Sequence, residues 1–194
     1  ETACISYGVA TPYLPVVELL RAYFRLGSGG DGAAPRDVIV GGLGALDESL
    51  VPFAGALLAL LEVGPEDPAW RVLDAPARRH RIHEAVIELL IRESQTEPLI
   101  LVVEDLHWAD SETRALLDRL VETLPKSRLL LVATYRPEHG HRWSELAGYR
   151  EIKLGPLPRG RADELLEKLL GGDAALTPLR RLLVDRTGGN PFFI

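Results

Sequence analysis

Residues 99–110, LILVVEDLHWAD, constrain the fold more than any other stretch of the chain. Leu99 to Val103 is an unbroken aliphatic run, preceded by the breaker Thr96-Glu97-Pro98 and followed at once by two acids, Glu104 and Asp105. A short, continuously apolar, β-branched run between breakers predicts a strand buried on both faces, which is the mark of a parallel sheet. Parallel strands need crossover connections, usually helical, so the flanking sequence must supply helices. It does. Upstream, Asp74 suits a helix cap with Pro76 in the first turn, and Ile82, Ala85, Val86, Leu89 and Leu90 recur at helical spacing up to Ser94. Downstream, Asp110 caps a helix whose Leu116, Leu117, Leu120, Val121 and Leu124 form one stripe that ends at Pro125. Leu129 to Ala133 reads as a second buried strand. A polar loop from Tyr135 to Trp143, a short helix near Ser144 to Ala147 and a third strand at Glu151 to Leu154 follow. The alternation predicts an α/β fold with right-handed crossovers and helices on both faces of a parallel sheet.

Around this core the chain is less sharply patterned. ETACISYG alternates loosely as a short strand does, and Val16 to Leu26 is a helix opened by Pro15. GSGGDGAAP at 27–35 has the composition of a flexible loop, and the Leu- and Ala-rich Glu48 to Val63 reads as a buried helix ending at Gly64-Pro65. From Gly155 the pattern is helical only: PLPRGRADELLEKLLGG gives one amphipathic helix stopped by a glycine pair, and Thr177-Pro178 caps another that stops at Gly188. Asn190-Pro191 opens a further helical turn. We therefore expect an α/β core over 1–155 and the beginning of a helical lid over 156–194. The start at Glu1 without Met and the apolar end NPFFI suggest a segment of a longer protein.

Composition narrows the function. With 46% hydrophobic and 26% charged residues the chain is an ordinary globular one. A net charge of -6 argues against direct nucleic-acid binding, which needs clustered Lys and Arg; the longest basic cluster is RRHR at 78–81. The single Cys4 rules out an internal disulfide and fits a cytoplasmic location. No apolar run approaches the ~20 residues of a membrane helix.

In open α/β sheets ligands bind at the carboxyl ends of the strands. Those ends carry Glu104-Asp105 and Thr134-Tyr135-Arg136. Two carboxylates and an arginine facing one crevice suit a phosphate ligand whose charge is shared between a divalent metal and a cationic side chain. The same two acids also suit the start of a solvated loop. His107 and Trp108 have no role forced on them by chemistry, and both read as packing residues. His139 and His141 lack a third ligand and read as a solvent-exposed pair.

Taken together, LILVVEDLHWAD, SETRALLDRL, LLLVATYRPE, IKLGPLPRGRADELLEKLL and TGGNPFFI resemble, in order and spacing, the ATPase domain of bacterial STAND-type signalling proteins. In these, an AAA-like P-loop module is joined to adenylate or guanylate cyclase, LuxR-type, kinase or tetratricopeptide domains. CISYGVATPYLPVVELLR likewise looks like the segment that follows their phosphate-binding loop. The resemblance implies a P-loop NTPase-like three-layer αβα fold, with ATP and Mg²⁺ as cofactors. It puts Glu104 in the Mg²⁺-ordering Walker B position, acting through water, and Asp105 in the catalytic, water-orienting one. Many P-loop ATPases have Asp first and Glu second, so the order here is inverted. Thr134 and Arg136 match the sensor position, where an arginine feels the γ-phosphate, and Pro191 matches a lid motif near adenine and ribose. The implied role is an ATP/ADP switch that hydrolyses slowly, acts on its own output domain and assembles into a nucleotide-dependent homo-oligomer. A second reading is a non-catalytic scaffold, which Trp143 and Phe192-Phe193, taken as exposed aromatics, would serve.

The phosphate loop GxxxxGK[ST] does not occur in the sequence. The lysines are Lys126, Lys153 and Lys168, none behind a glycine loop, and GGLGAL at 41–46 has no lysine. The expectation is a fragment whose phosphate loop lies upstream, and which by itself binds ATP weakly or not at all.

Overall fold

A computed structural model describes residues 1–5, 10–27, 34–63, 68–138, 140 and 142–194. They form two compact units, Glu1–Tyr149 and Arg150–Ile194. In the first, β1 (Thr2–Ala3), β2 (Leu99–Glu104) and β3 (Leu129–Ala133) make a parallel sheet in the order β1-β2-β3. The register pairs Thr2 with Val103 and Leu99 with Leu129 through to Val103 with Ala133, so all three strands finish at one edge of the sheet.

The helices of this unit are α1 (Leu14–Tyr23), α2 (Pro35–Leu46), α3 (Ala54–Leu60), α4 (Pro68–Arg71), α5 (Ala75–Thr96) and α6 (Ser111–Thr123). Asp74 caps α5 by accepting from Ala77 N, and Asp110 caps α6 by accepting from Glu112 N and Thr113 N, as their places in the sequence predict. Leu101, Val103 and Leu129 pack with Ile87 of α5 and with Leu117, Leu120 and Val121 of α6. A second cluster joins Leu20 and Phe24 to Ile39, Leu43, Leu57, Val86 and Leu89.

Several expectations change. The three-layer arrangement is not what the described residues form. The odd-numbered positions of β2 and β3 face the helices, while the even-numbered face leaves Ile100, Leu130 and Val132 exposed at 61%, 57% and 41%. Both faces are apolar, as two-sided burial demands, but the described helices cover one of them. No third strand forms at Glu151 to Leu154. Two apolar residues separated by Lys153 and closed by Gly155-Pro156 are too short a run, and Ile152 and Leu154 stand in solvent.

Further differences have local causes. The stretch 48–63 is divided into a 3-10 segment, Glu48–Phe53, and α3, because Pro52 has no N–H to give an α-helical turn. The glycine-bearing stretch 41–46 lies inside α2, where a Cβ at Gly42 would meet the Phe24 ring at 3.3 Å. Helix α1 closes at Tyr23, before Leu26, as the chain turns through Arg25 at φ 54°. Of the loop at 27–35, residues 28–33 fall outside the described ones, as do His139 and His141.

The second unit is a helix pair, α7 (Arg159–Leu170) and α8 (Thr177–Thr187), closed around Ala162, Leu166 and Val184. Gly188 at φ 59° ends α8 as the sequence predicts, although Thr177 is its first helical residue rather than its cap. Arg180 is buried between Asp163 Oδ1 at 3.1 Å and the Gly171 carbonyl at 3.2 Å.

Candidate nucleotide site at the carboxyl ends of the strands

Glu104 is the last residue of β2, and its carbonyl accepts from Cys4 N at 2.9 Å, which ties it to the end of β1. Asp105 follows in the left-handed region, at φ 53° and ψ 44°. This turn ends the strand and sends the chain into a 3-10 turn, Leu106–Trp108. Thr134, just past β3, clamps the turn from the neighbouring strand: Asp105 N donates to Thr134 Oγ1 at 2.9 Å and Leu106 N to the Thr134 carbonyl at 2.8 Å. Thr134 N in turn donates to the Val103 carbonyl at 3.0 Å. A non-glycine residue held left-handed by tertiary hydrogen bonds is the kind of local strain that collects at functional sites.

The carboxylates of Glu104 and Asp105 are both exposed at this edge, and so is Arg136. The Arg136 guanidinium lies 5.6 Å from the centroid of the Trp108 ring, a cation–π distance. The His107 ring packs against Trp108 in a tilted contact, with centroids 5.0 Å apart and planes 43° apart, and its Nδ1 is 3.9 Å from Asp105 Oδ1. Behind the acids, burial pushes the Cys4 thiol up to about 11, with Asp110 and then Asp105 adding to the shift. Cys4 is therefore a packed thiol and not a nucleophile.

Glu104, Asp105, Thr134 and Arg136 thus meet at one edge of one sheet. Pro191 belongs to the second unit, in a turn where Asn190 Oδ1 accepts from Phe192 N at 3.0 Å. Trp143 is not exposed: it is buried, and its Nε1 donates to Asp118 Oδ1 at 2.7 Å. Phe192 and Phe193 are exposed. The contacts of His107 and Trp108 were not foreseen from sequence; their place two and three residues past the second acid is the one signal that could have pointed to them.

Among the described residues no three His, Cys, Asp or Glu side chains group to cage a metal. The donor set fits Mg²⁺, which keeps several waters and takes one or two carboxylates together with the phosphates it accompanies. A model of the AAA ATPase domain matches residues 1–132, more than half of the chain. The chain belongs to the AAA ATPase domain family. This AAA ATPase domain is also similar to an uncharacterised protein of Rhizobium meliloti (strain 1021), 33% identical over 84 residues, which are 43% of this chain and 8% of that relative. No solved structure matches. No helix among the described residues is long and apolar enough to cross a membrane.

Proposed function

We propose that this AAA-type domain is the nucleotide-binding core of a STAND-type regulator, which binds Mg·ATP at the carboxyl ends of β2 and β3 and hydrolyses it slowly to switch an attached output domain. The observation that carries this reading is the clamp of Thr134 on the Asp105 turn. It fixes two carboxylates at the end of one strand and places an arginine three residues beyond the end of the next. In this arrangement Glu104 holds the water shell of Mg²⁺, which would neutralise phosphate charge when bound with ATP. Asp105 orients the attacking water and accepts its proton. Arg136 discriminates a γ-phosphate.

The bare sheet face supports the same reading. Ile100, Leu130 and Val132 form an apolar surface of the kind a further layer covers, and we assign that layer to the segment bearing the phosphate loop. The small share of the Rhizobium relative that matches is consistent with a module inside a long chain. We place the whole in the cytoplasm, with nucleotide-dependent self-association as its means of signalling.

The test is Arg136→Ala in the full-length protein, read as relative affinity for ATP and ADP. We expect the preference for ATP to fall about tenfold or more, the usual size of a lost charge-assisted contact. An unchanged preference overturns the assignment of Arg136. An upstream GxxxxGK[ST] is the accompanying sequence check.

A further inference from the structure

We propose that His107 and Trp108 are positioning residues of this site, one for each sign of charge: His107 is the hydrogen-bond partner that steers the Asp105 carboxylate, and Trp108 is the platform that holds Arg136 at the rim. The inference rests on the ATP-site reading above for its purpose, and on geometry alone for its contacts.

The 3-10 turn Leu106–Trp108 is fixed independently of both charged groups. Leu106 is buried and its N–H is held by the Thr134 carbonyl, Trp108 N donates to the Asp105 carbonyl at 2.7 Å, and Ala109 N to the Leu106 carbonyl at 3.0 Å. Immediately afterwards Asp110 is locked as the cap of α6. The two rings therefore project from a rigid turn and brace each other.

His107 is only 11% exposed, and neither ring nitrogen has a hydrogen-bond partner among the described residues. A neutral imidazole carries one N–H, and burying it unpaired is unfavourable, so the arrangement leaves a donor waiting for an acceptor. The carboxylate beside it is Asp105, whose Oδ1 is 3.9 Å from Nδ1, roughly an ångström beyond hydrogen-bond length. Asp105 is exposed and has room to turn about its side-chain bonds. Its carboxylate can thus alternate between the crevice and His107, and a residue that must orient water gains a defined second position.

On the other ring, the Arg136 guanidinium sits over the Trp108 face at 5.6 Å. A planar, weakly hydrated guanidinium stacks well on indole, so Arg136 rests at the rim of the crevice instead of sampling solvent freely. Phosphate bound in the crevice would draw it from this rest position.

Two measurements test the proposal. In the chain as it stands, imidazole ¹⁵N and indole NMR signals are compared with those of Asp105→Gly, which suits the left-handed backbone and removes the acceptor, and of Arg136→Gln. We expect Asp105→Gly to shift the His107 Nδ1 signal and Arg136→Gln to shift the Trp108 ring signals, leaving Trp70 and Trp143 in place. Unmoved signals at His107 and Trp108 overturn it. In the full-length protein, Trp108→Phe should keep the ATP-over-ADP preference and Trp108→Leu should lower it roughly two- to fivefold, the scale of an exposed cation–π contact. Equal preference in both variants also overturns the Trp108 role. A full-length protein that binds no ATP would defeat the ATP-site reading, while the NMR comparison would still decide the positioning.

Discussion

His83 is the buried titratable group on which the first unit depends most directly. Tyr13 Oη donates to Glu112 Oε2 at 3.0 Å, so its single proton is spent there, and the 3.0 Å contact to His83 Nε2 must be a bond donated by the imidazole. Arg79 Nε closes the network on Glu112 at 2.7 Å. Burial, and then the charge of Arg119, push His83 from its ordinary 6.5 down to about 4. Between those values the unfolded chain takes up a proton that the folded chain refuses, so stability is full above about pH 6.5 and falls on acidification toward pH 4. Urea unfolding at neutral pH and near pH 4.5 should differ by on the order of 2 kcal/mol, and His83→Gln should flatten that difference. An equally steep loss in the variant would mean that other groups carry the acid sensitivity. Nothing in the sequence announces this network, because its partners are 70 and 99 residues apart. Asp110, by contrast, was legible as a cap, since capping is a local contact with the next turn.

At the scale of elements, β2 and β3 were legible because a run of five aliphatic residues between breakers has few other uses. Helix α2 was not. Its glycines argue for a loop, and only the packing of Ile39 and Leu43, with Gly42 close against Phe24, explains why a helix tolerates them. The misread strand at Glu151 to Leu154 shows the converse: alternation without a neighbour to pair with carries no strand. The sheet itself offers a paired test on adjoining strands. Leu101 faces the helices and Leu130 faces away, so Leu101→Ala should cost about 2–5 kcal/mol in denaturant unfolding, while Leu130→Ser should stay within about 0.5 kcal/mol. Comparable losses at both would mean that the even-numbered face is covered after all.

For the whole molecule, the disposition of charge limits what this chain does by itself. Lys126 ends the 3-10 turn Leu124–Lys126 just before β3 begins, at the end of the sheet opposite Glu104, and Lys153 and Lys168 lie in the second unit. The described residues gathered at the carboxyl ends of β2 and β3 include Glu104, Asp105 and Arg136 and no lysine, too little positive charge for a triphosphate. Calorimetric titration of the chain with Mg·ATP should show no binding at micromolar nucleotide; micromolar affinity would mean that the chain carries a phosphate cradle of its own. The edge at which the acids gather was legible in the sequence, because parallel strands must end together. The cover of the second sheet face was not, because apolar residues record that a face is buried and not by what.

The left-handed turn at Asp105 also bears on the order of the two acids. Crowding of Cβ against the following carbonyl costs an L residue roughly 1–2 kcal/mol in that backbone region, and Asp and Asn enter it more readily than Glu because their short polar side chains can hydrogen-bond the local backbone. Exchanging the pair, Glu104→Asp with Asp105→Glu, is thus no neutral permutation. It would set a glutamate on the one backbone position of the site that selects against it, and leave the shorter acid on an ordinary strand end that has no need of it. The reversed acid order is the one that this turn, clamped by Thr134, carries with the lesser strain.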